Sequence, residues 1–234
     1  MTITSASNER LKEIRKLTQR RRWRDRSGRF IAEGEDLLAA ADAAGWRPVE
    51  RYCAAGSGLV GVEVDPALLA ATSGLGSGTR ALAVYEQRWA PAATGPLCVY
   101  LHGVHDPGNV GAILRSAQAF GASSVAIGPE TADPFGPKAV RASMGALFAV
   151  ALAQAPDLAG LPGTTVALAA GQGRALHELP LTDVTLLIGA ERAGLPPEVL
   201  EAADEIARIP IRNHSLNAAM AATVALYEAT RMAR

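Results

Sequence analysis

The chain has 234 residues, 49% apolar and 20% charged, which suits one large or two modest packed domains and excludes a disordered polymer. No stretch approaches the roughly 20 apolar residues of a membrane span, and the polar start from Thr2 to Leu17 lacks the apolar core of a signal peptide, so a cytoplasmic protein is expected. The zero net charge hides an asymmetry: residues 1–30 hold ten Lys or Arg against three acids, leaving +7 there and −7 on the remainder. A basic arm on an acidic body fits a protein that attracts phosphate with one end, although such runs are often only solvated helix faces.

In chain order, Leu11, Ile14 and Leu17 predict an amphipathic helix over Asn8–Arg24 with a cationic wet face. A short strand at Arg29–Ala32, a helix at Glu35–Ala44 and β-like runs at Val49–Ala54, Leu59–Val64 and Ala81–Gln87 complete a small α/β unit. The segment Ala90-Pro-Ala-Ala-Thr-Gly-Pro96 has linker composition and marks the boundary between domains at residues 1–94 and 95–234. Beyond it, Leu97–Leu101, Ser124–Ile127, Leu147–Leu152, Thr165–Ala169 and Val184–Ile188 are apolar on both faces. Such runs, separated by helical patterns, predict a mostly parallel sheet covered on both sides. Cys53 and Cys98 are too few for a disulfide framework or zinc site and read as small buried hydrophobes, and no metal is expected.

Three loops hold residues able to do chemistry. His102-Gly-Val-His-Asp-Pro-Gly-Asn-Val-Gly-Ala-Ile-Leu-Arg115 leaves a buried strand and enters a helix. Asn109 is a plausible N-cap, backbone N–H groups at such a helix start suit an anion, and Arg115 leans back over Gly111 and Ala112 toward a phosphate. The bland reading leaves Asn109 a cap and Arg115 a surface charge, and a dinucleotide site lacks its Gly-x-Gly-x-x-Gly spacing. Gly189-Ala-Glu-Arg-Ala-Gly-Leu-Pro-Pro197 follows a strand and places Glu191 at its carboxyl end, where open parallel sheets hold ligands. Ile209-Pro-Ile-Arg-Asn-His-Ser-Leu-Asn-Ala218 runs into a final helix with Ser215 as a possible cap and an apolar face of Leu216, Met220, Thr223, Val224 and Tyr227. Its alanines suit either close packing against a second subunit or a plain core helix.

Together, Asn109-x-Gly111-x-x-x-Arg115, Arg141-Ala-Ser-Met-Gly-Ala146, Gly189-x-Glu191-x-x-Gly194-Leu195 and Ile209-Pro210 with Ser215-Leu-Asn217 resemble the SpoU (TrmH-like) ribose 2′-O-methyltransferases of the SPOUT superfamily. The resemblance covers about Leu97–Arg234. Residues before Gly95, including Phe30-x-x-Glu33-Gly34, more loosely resemble an L30e-like RNA-binding domain. The resemblance implies an α/β fold with a C-terminal trefoil knot, a homodimer, and S-adenosylmethionine held near Gly189, Ile209 and Leu216. It implies RNA as substrate, with the L30e-like domain pointing to 23S ribosomal RNA and transfer RNA as the alternative. Asn109, Arg115, Glu191, Ser215 and Asn217 carry the chemistry in this reading, and Arg20, Arg21, Arg22 and Arg24 hold RNA. Arg192 stands where the family usually has glycine, the segment from Ile209 to Ser215 is about two residues shorter than the common pattern, and His214 replaces an often acidic or polar neighbour. The rival readings are a non-catalytic RNA-binding assembly protein on the same fold and an ordinary nucleotide-dependent α/β enzyme.

Overall fold

The computed structural model describes residues 2–74, 78–212 and 215–231. The first elements are α1 (Glu9–Gln19), α2 (Arg21–Ser27), β1 (Arg29–Glu33), α3 (Glu35–Ala43), β2 (Glu50–Ala54), β3 (Val62–Val64), α4 (Pro66–Thr72) and β4 (Ala81–Glu86). Then follow β5 (Leu97–Leu101), α5 (Pro107–Ala119), β6 (Ser124–Ile127), α6 (Pro137–Ala142), β7 (Ala151–Gln154), β8 (Thr164–Leu168) and β9 (Arg174–Ala175). The chain ends with β10 (Val184–Ile188), α7 (Pro197–Ala202), β11 (Glu205–Arg208) and α8 (Ala218–Arg231). Two compact units form: Met1–Gln87 with Asp133–Phe148, and Arg88–Ala132 with Ala149–Arg234.

In the first unit the sheet order is β1-β4-β2-β3, antiparallel except for the parallel β2–β3 pair. Alternation along the strands sorts its side chains. Ile31, Leu82, Val84 and Tyr52 join Leu11, Ile14, Leu17 and Leu69 in one apolar cluster. Phe30 and Tyr85, paired across β1 and β4, join an aromatic cluster with Trp46, Phe135 and Phe148. Phe135 lies 4.9 Å from Phe30 between ring centroids, and the Trp46 indole N–H donates to the Phe148 carbonyl at 2.9 Å. The segment 133–148, and with it the motif Arg141–Ala146, is therefore built into the first unit. Gly145 takes φ +93°, and a Cβ there would lie 2.5 Å from that of Ala40, so the motif's glycine is needed for both conformation and space.

The expected single helix over Asn8–Arg24 is instead two, broken at Arg20 in extended backbone (φ −129°, ψ 110°). The break lets Arg24 turn inward. Its Nη1 donates to the Leu17 carbonyl at 2.7 Å, satisfying an acceptor in the last turn of α1, and its Nε meets Asp133 at 2.7 Å. Arg24, expected among the RNA-facing cations of a wet surface, is 5% exposed and serves this internal role. The strand expected at Leu59–Val64 shortens to Val62–Val64, with Val60 exposed, while α4, β9 and β11 were not anticipated.

The second unit is a seven-stranded, wholly parallel sheet in the order β7-β6-β5-β10-β8-β11-β9. Every residue of β5, β6 and β10 is buried, as strands covered on both faces require. The run expected as a strand at Leu147–Leu152 begins later, at Ala151, because Phe148 belongs to the aromatic core of the first unit. After β11 the chain returns as α8, which packs on α5 and β10. The expected apolar face of α8 is not its buried one: Ala218, Ala219, Ala222, Ala225, Leu226 and Ala229 are buried, whereas Met220 and Tyr227 are 62% and 50% exposed. Small residues let α8 lie close to α5, where the Ser116 and Thr223 hydroxyls meet at 2.6 Å. Both cysteines are buried and free, and burial pushes the Cys98 thiol pKa up. Among the described residues no helix is long and apolar enough to cross a membrane, and no cluster of His, Cys, Asp and Glu could hold a metal.

Candidate active site

Strand register assembles the site. Ile188 pairs with Leu101 and Leu187 with Ala167, so β5, β8 and β10 end together and release loops 102–106, 169–173 and 189–195 at one edge of the sheet. That is the usual ligand-binding edge of an open parallel sheet. The His102 N–H continues the β5–β10 ladder to the Ile188 carbonyl at 2.9 Å, holding the first and third loops side by side. Beneath them the buried Tyr100 hydroxyl lies 3.2 Å from His102 Nδ1, and burial raises the phenol pKa to about 12, keeping it protonated at neutral pH.

The cap of α5 is Asp106, not Asn109. Its carboxylate accepts from the N–H groups of Gly108 and Asn109 at 2.6 and 3.1 Å, while Pro107 occupies the first helical position, where a missing N–H costs nothing. The bare helix start expected to hold an anion is thus occupied by the chain's own carboxylate. Asn109, relieved of capping, reaches across the site. Its Nδ2 donates to Glu191 Oε1, and its Oδ1 accepts from Asn217 Nδ2 at 3.0 Å.

Asn217, not Ser215, caps α8: its Oδ1 accepts from the Ala219 and Met220 N–H groups at 2.9 and 3.3 Å. Backbone N–H groups can only donate, so they orient the Asn217 amide. That orientation turns Asn109 so that its amide nitrogen faces Glu191. The chain of bonds therefore has one direction, from the α8 terminus through two amides to a carboxylate, and ties together three segments that are distant in sequence.

Beside this network is a cavity of about 250 Å³, lined mostly by apolar groups. Leu168 at the end of β8, Ala169 and Gln172 from the loop after it, Gly189–Leu195 from the next loop, and Ile209, Ser215 and Leu216 line its wall. All three expected cofactor residues, Gly189, Ile209 and Leu216, line it together with Glu191 and Ser215. A Cβ on Gly189 would lie 2.3 Å from the Gly194 carbonyl carbon, so only glycine permits the turn in which Ala190 and Gly194 exchange backbone hydrogen bonds. Exposed Arg192, at the tip of that turn, also lines the cavity. The loop after β8 was missed as a contributor to the wall. Its signal was its place at the end of a buried strand, but Ala169-Ala-Gly-Gln172 carries no distinctive chemistry.

Arg115 is exposed on α5 and forms no ion pair among the described residues. The short segment before Ser215 includes His214, which lies outside the described residues. In the first unit Arg20, Arg21 and Arg22 are exposed, and Arg21 faces Asp25 at 3.7 Å. Other cations of the basic arm are tied to acids, Arg10 to Glu50 and Arg29 to Glu13.

The model of the SpoU rRNA Methylase family matches residues 96–227, more than half of the chain. The chain belongs to this family of methyltransferases. Residues 8–85 match the MRM3-like substrate binding domain, the counterpart of the loosely L30e-like expectation. An uncharacterized tRNA/rRNA methyltransferase of Synechocystis is 32% identical over 98% of this chain and 93% of its own length. A 23S rRNA (uridine(2479)-2′-O)-methyltransferase of Streptomyces viridochromogenes is 37% identical over 53% of this chain. The chain spans about half the length, 49%, of the first two curated relatives it matches. The AdoMet-bound rRNA methyltransferase of Sinorhizobium meliloti superposes with TM-score 0.88 at 32% identity, covering 99% of this chain and 98% of that one.

Proposed function

We propose that this SpoU-family chain methylates a ribose 2′-hydroxyl of structured RNA using S-adenosylmethionine, with large-subunit (23S) ribosomal RNA as substrate. The observation that carries the reading is the directed network Glu191–Asn109–Asn217 at the rim of the cavity lined by Gly189, Ile209 and Leu216. The cavity suits this cofactor. Its apolar side chains and the close backbone at Gly189 accept a flat adenine, and S-adenosylmethionine has no phosphate requiring a glycine-rich cradle. When bound, the cofactor supplies an electrophilic sulfonium methyl group. The AdoMet-bound relative and the 23S-specific relative support the assignment of cofactor and substrate.

The residues of the chain then have two tasks. The Asn109–Asn217 pair fixes the ribose relative to the cavity, and Glu191 orients Asn109 from the opposite side. Arg115 handles the proton problem. A guanidinium is effectively always protonated, so it acts by holding the adjacent phosphate and stabilising charge as it develops on the 2′-oxygen, with the proton passing to phosphate or solvent. Ser215 completes the polar rim. Domains at about residues 1–94 and 95–234 divide recognition from transfer in this reading. The return of α8 onto α5 and β10 supports the trefoil threading, and exposed Met220 and Tyr227 support a homodimer. Incubation with labelled S-adenosylmethionine and separate ribosomal and transfer RNA pools, followed by mapping of 2′-O-methyl groups, tests the proposal. Label in ribosomal RNA is expected, label confined to transfer RNA would redirect the substrate, and no label in either would overturn the activity.

A further inference from the structure

The break between α1 and α2 creates a second feature, within the first unit. Trp23 is half-buried beside a groove of about 330 Å³ lined by Glu9, Arg10, Glu13, Lys16, Leu17 and Ser27. The Lys16 ammonium sits 4.6 Å from the indole centroid and the Arg26 guanidinium 5.8 Å from it. A tryptophan on a helix with five charged neighbours, Arg21, Arg22, Arg24, Asp25 and Arg26, is not part of the apolar cluster to which Leu11, Ile14 and Leu17 belong.

We propose that this groove holds one unstacked nucleobase of the substrate RNA against Trp23, a reading that rests on RNA being the substrate. Three features favour a base over a bare phosphate inside the groove. Once the flexible, exposed Lys16 side chain swings off the ring, the indole provides a π-face on which any base can stack. The carboxylates of Glu9 and Glu13 lie in the wall, paired with Lys12 and Arg29, and their free lone pairs accept from exocyclic amino groups while repelling phosphate. Exposed Lys16 and Arg26, the two cations recorded beside the indole, are in place to meet the flanking phosphates. Bases inside a duplex are stacked and cannot enter. The first unit therefore selects a loop, bulge or single strand.

The test uses the full chain and two labelled RNAs, a stem–loop with an adenine-rich loop and a blunt duplex of the same stem sequence, with affinity measured across a salt series. Trp23→Ala is expected to weaken stem–loop binding about tenfold and to leave duplex binding and the salt slope unchanged, at a temperature where the variant is fully folded. Trp23→Phe keeps a ring and retains most of the affinity. In a second measurement, 2-aminopurine placed along the loop loses fluorescence on binding at one position in the unmodified chain and keeps it in Trp23→Ala. Equal stem–loop affinity for Trp23→Ala and the unmodified chain would overturn the base site while leaving the methyltransferase reading intact. So would parallel losses on both RNAs, or the absence of any quenched position. Failure of the unmodified chain to bind either RNA would also overturn the base site, whereas the methyltransferase reading stands or falls separately on labelling of the ribosomal and transfer RNA pools.

Discussion

The two units use charge in opposite ways. In the second, the polar groups of the site are mutually satisfied: a carboxylate, two amides and a helix terminus form one directed set of bonds that holds each side chain in place before any ligand arrives. In the first, Arg24 is locked internally while Arg20 and Arg22 remain in solvent. Transfer chemistry requires alignment within fractions of an ångström, and preorganised dipoles provide it. Recognition of a polyanion requires positive charge near phosphate, which flexible exposed side chains provide.

Mutations can break this contrast. The largest effect is expected from Arg115→Ala, which should reduce methyl transfer roughly 10²–10³-fold, the typical loss for a charge-stabilising donor, with cofactor binding by calorimetry unchanged. Equal turnover by that variant would remove Arg115 from the chemistry. Next is Arg24→Ala, which strands Asp133 and the Leu17 carbonyl and should cost about 3–5 kcal/mol in denaturant unfolding; a loss of RNA affinity without loss of stability would return Arg24 to the surface set.

Asn217→Ala removes both a helix cap and the donor to Asn109. A cost of about 1–2 kcal/mol is expected, together with weaker transfer, whereas Asn217→Asp should keep the cap but lose the donor, separating stability from activity. Reversing Arg20, Arg21 and Arg22 to Glu should weaken RNA binding and flatten its salt dependence while sparing cofactor binding.

The smallest effect concerns Asp204, whose carboxylate accepts from both the backbone N–H and the hydroxyl of Thr165, which lowers its pKa. A depressed acid contributes stability above its unfolded pKa and loses that contribution as pH falls through its folded value. Asp204→Asn should therefore melt slightly lower than the unmodified chain near neutrality, and the gap should close in acid. A gap independent of pH would mean that shape, not charge, matters there.

Much of the second unit was legible because fully buried strands leave an unmistakable mark: Leu97–Leu101 and Val184–Ile188 are continuous apolar runs, and the elements match them. Short edge elements were not legible. β9 has two residues and β11 lies beside β8 by long-range pairing, so neither needs a strong local pattern. Asn109, Glu191 and Asn217 could be picked out as candidates in the sequence, but not the bonds that bring those three together. Asn109 and Ser215 looked like caps because both precede or enter apolar helices, while Asp106 and Asn217 do the capping.

By itself the sequence determined the classes of residue, the alternation that buries strands, the basic bias of the first 30 residues and the motifs that mark a methyltransferase family. Only the tertiary structure decided which polar groups meet. The register of β5 against β10 brings Asn109 to Glu191 across 82 positions of chain, and the return of α8 brings Asn217 to the same amide. It also decided that Arg24 is internal and that residues 133–148 complete the aromatic core of the first unit. Hydrogen bonds and ring contacts of this kind depend on distance in space, and local sequence carries no measure of it.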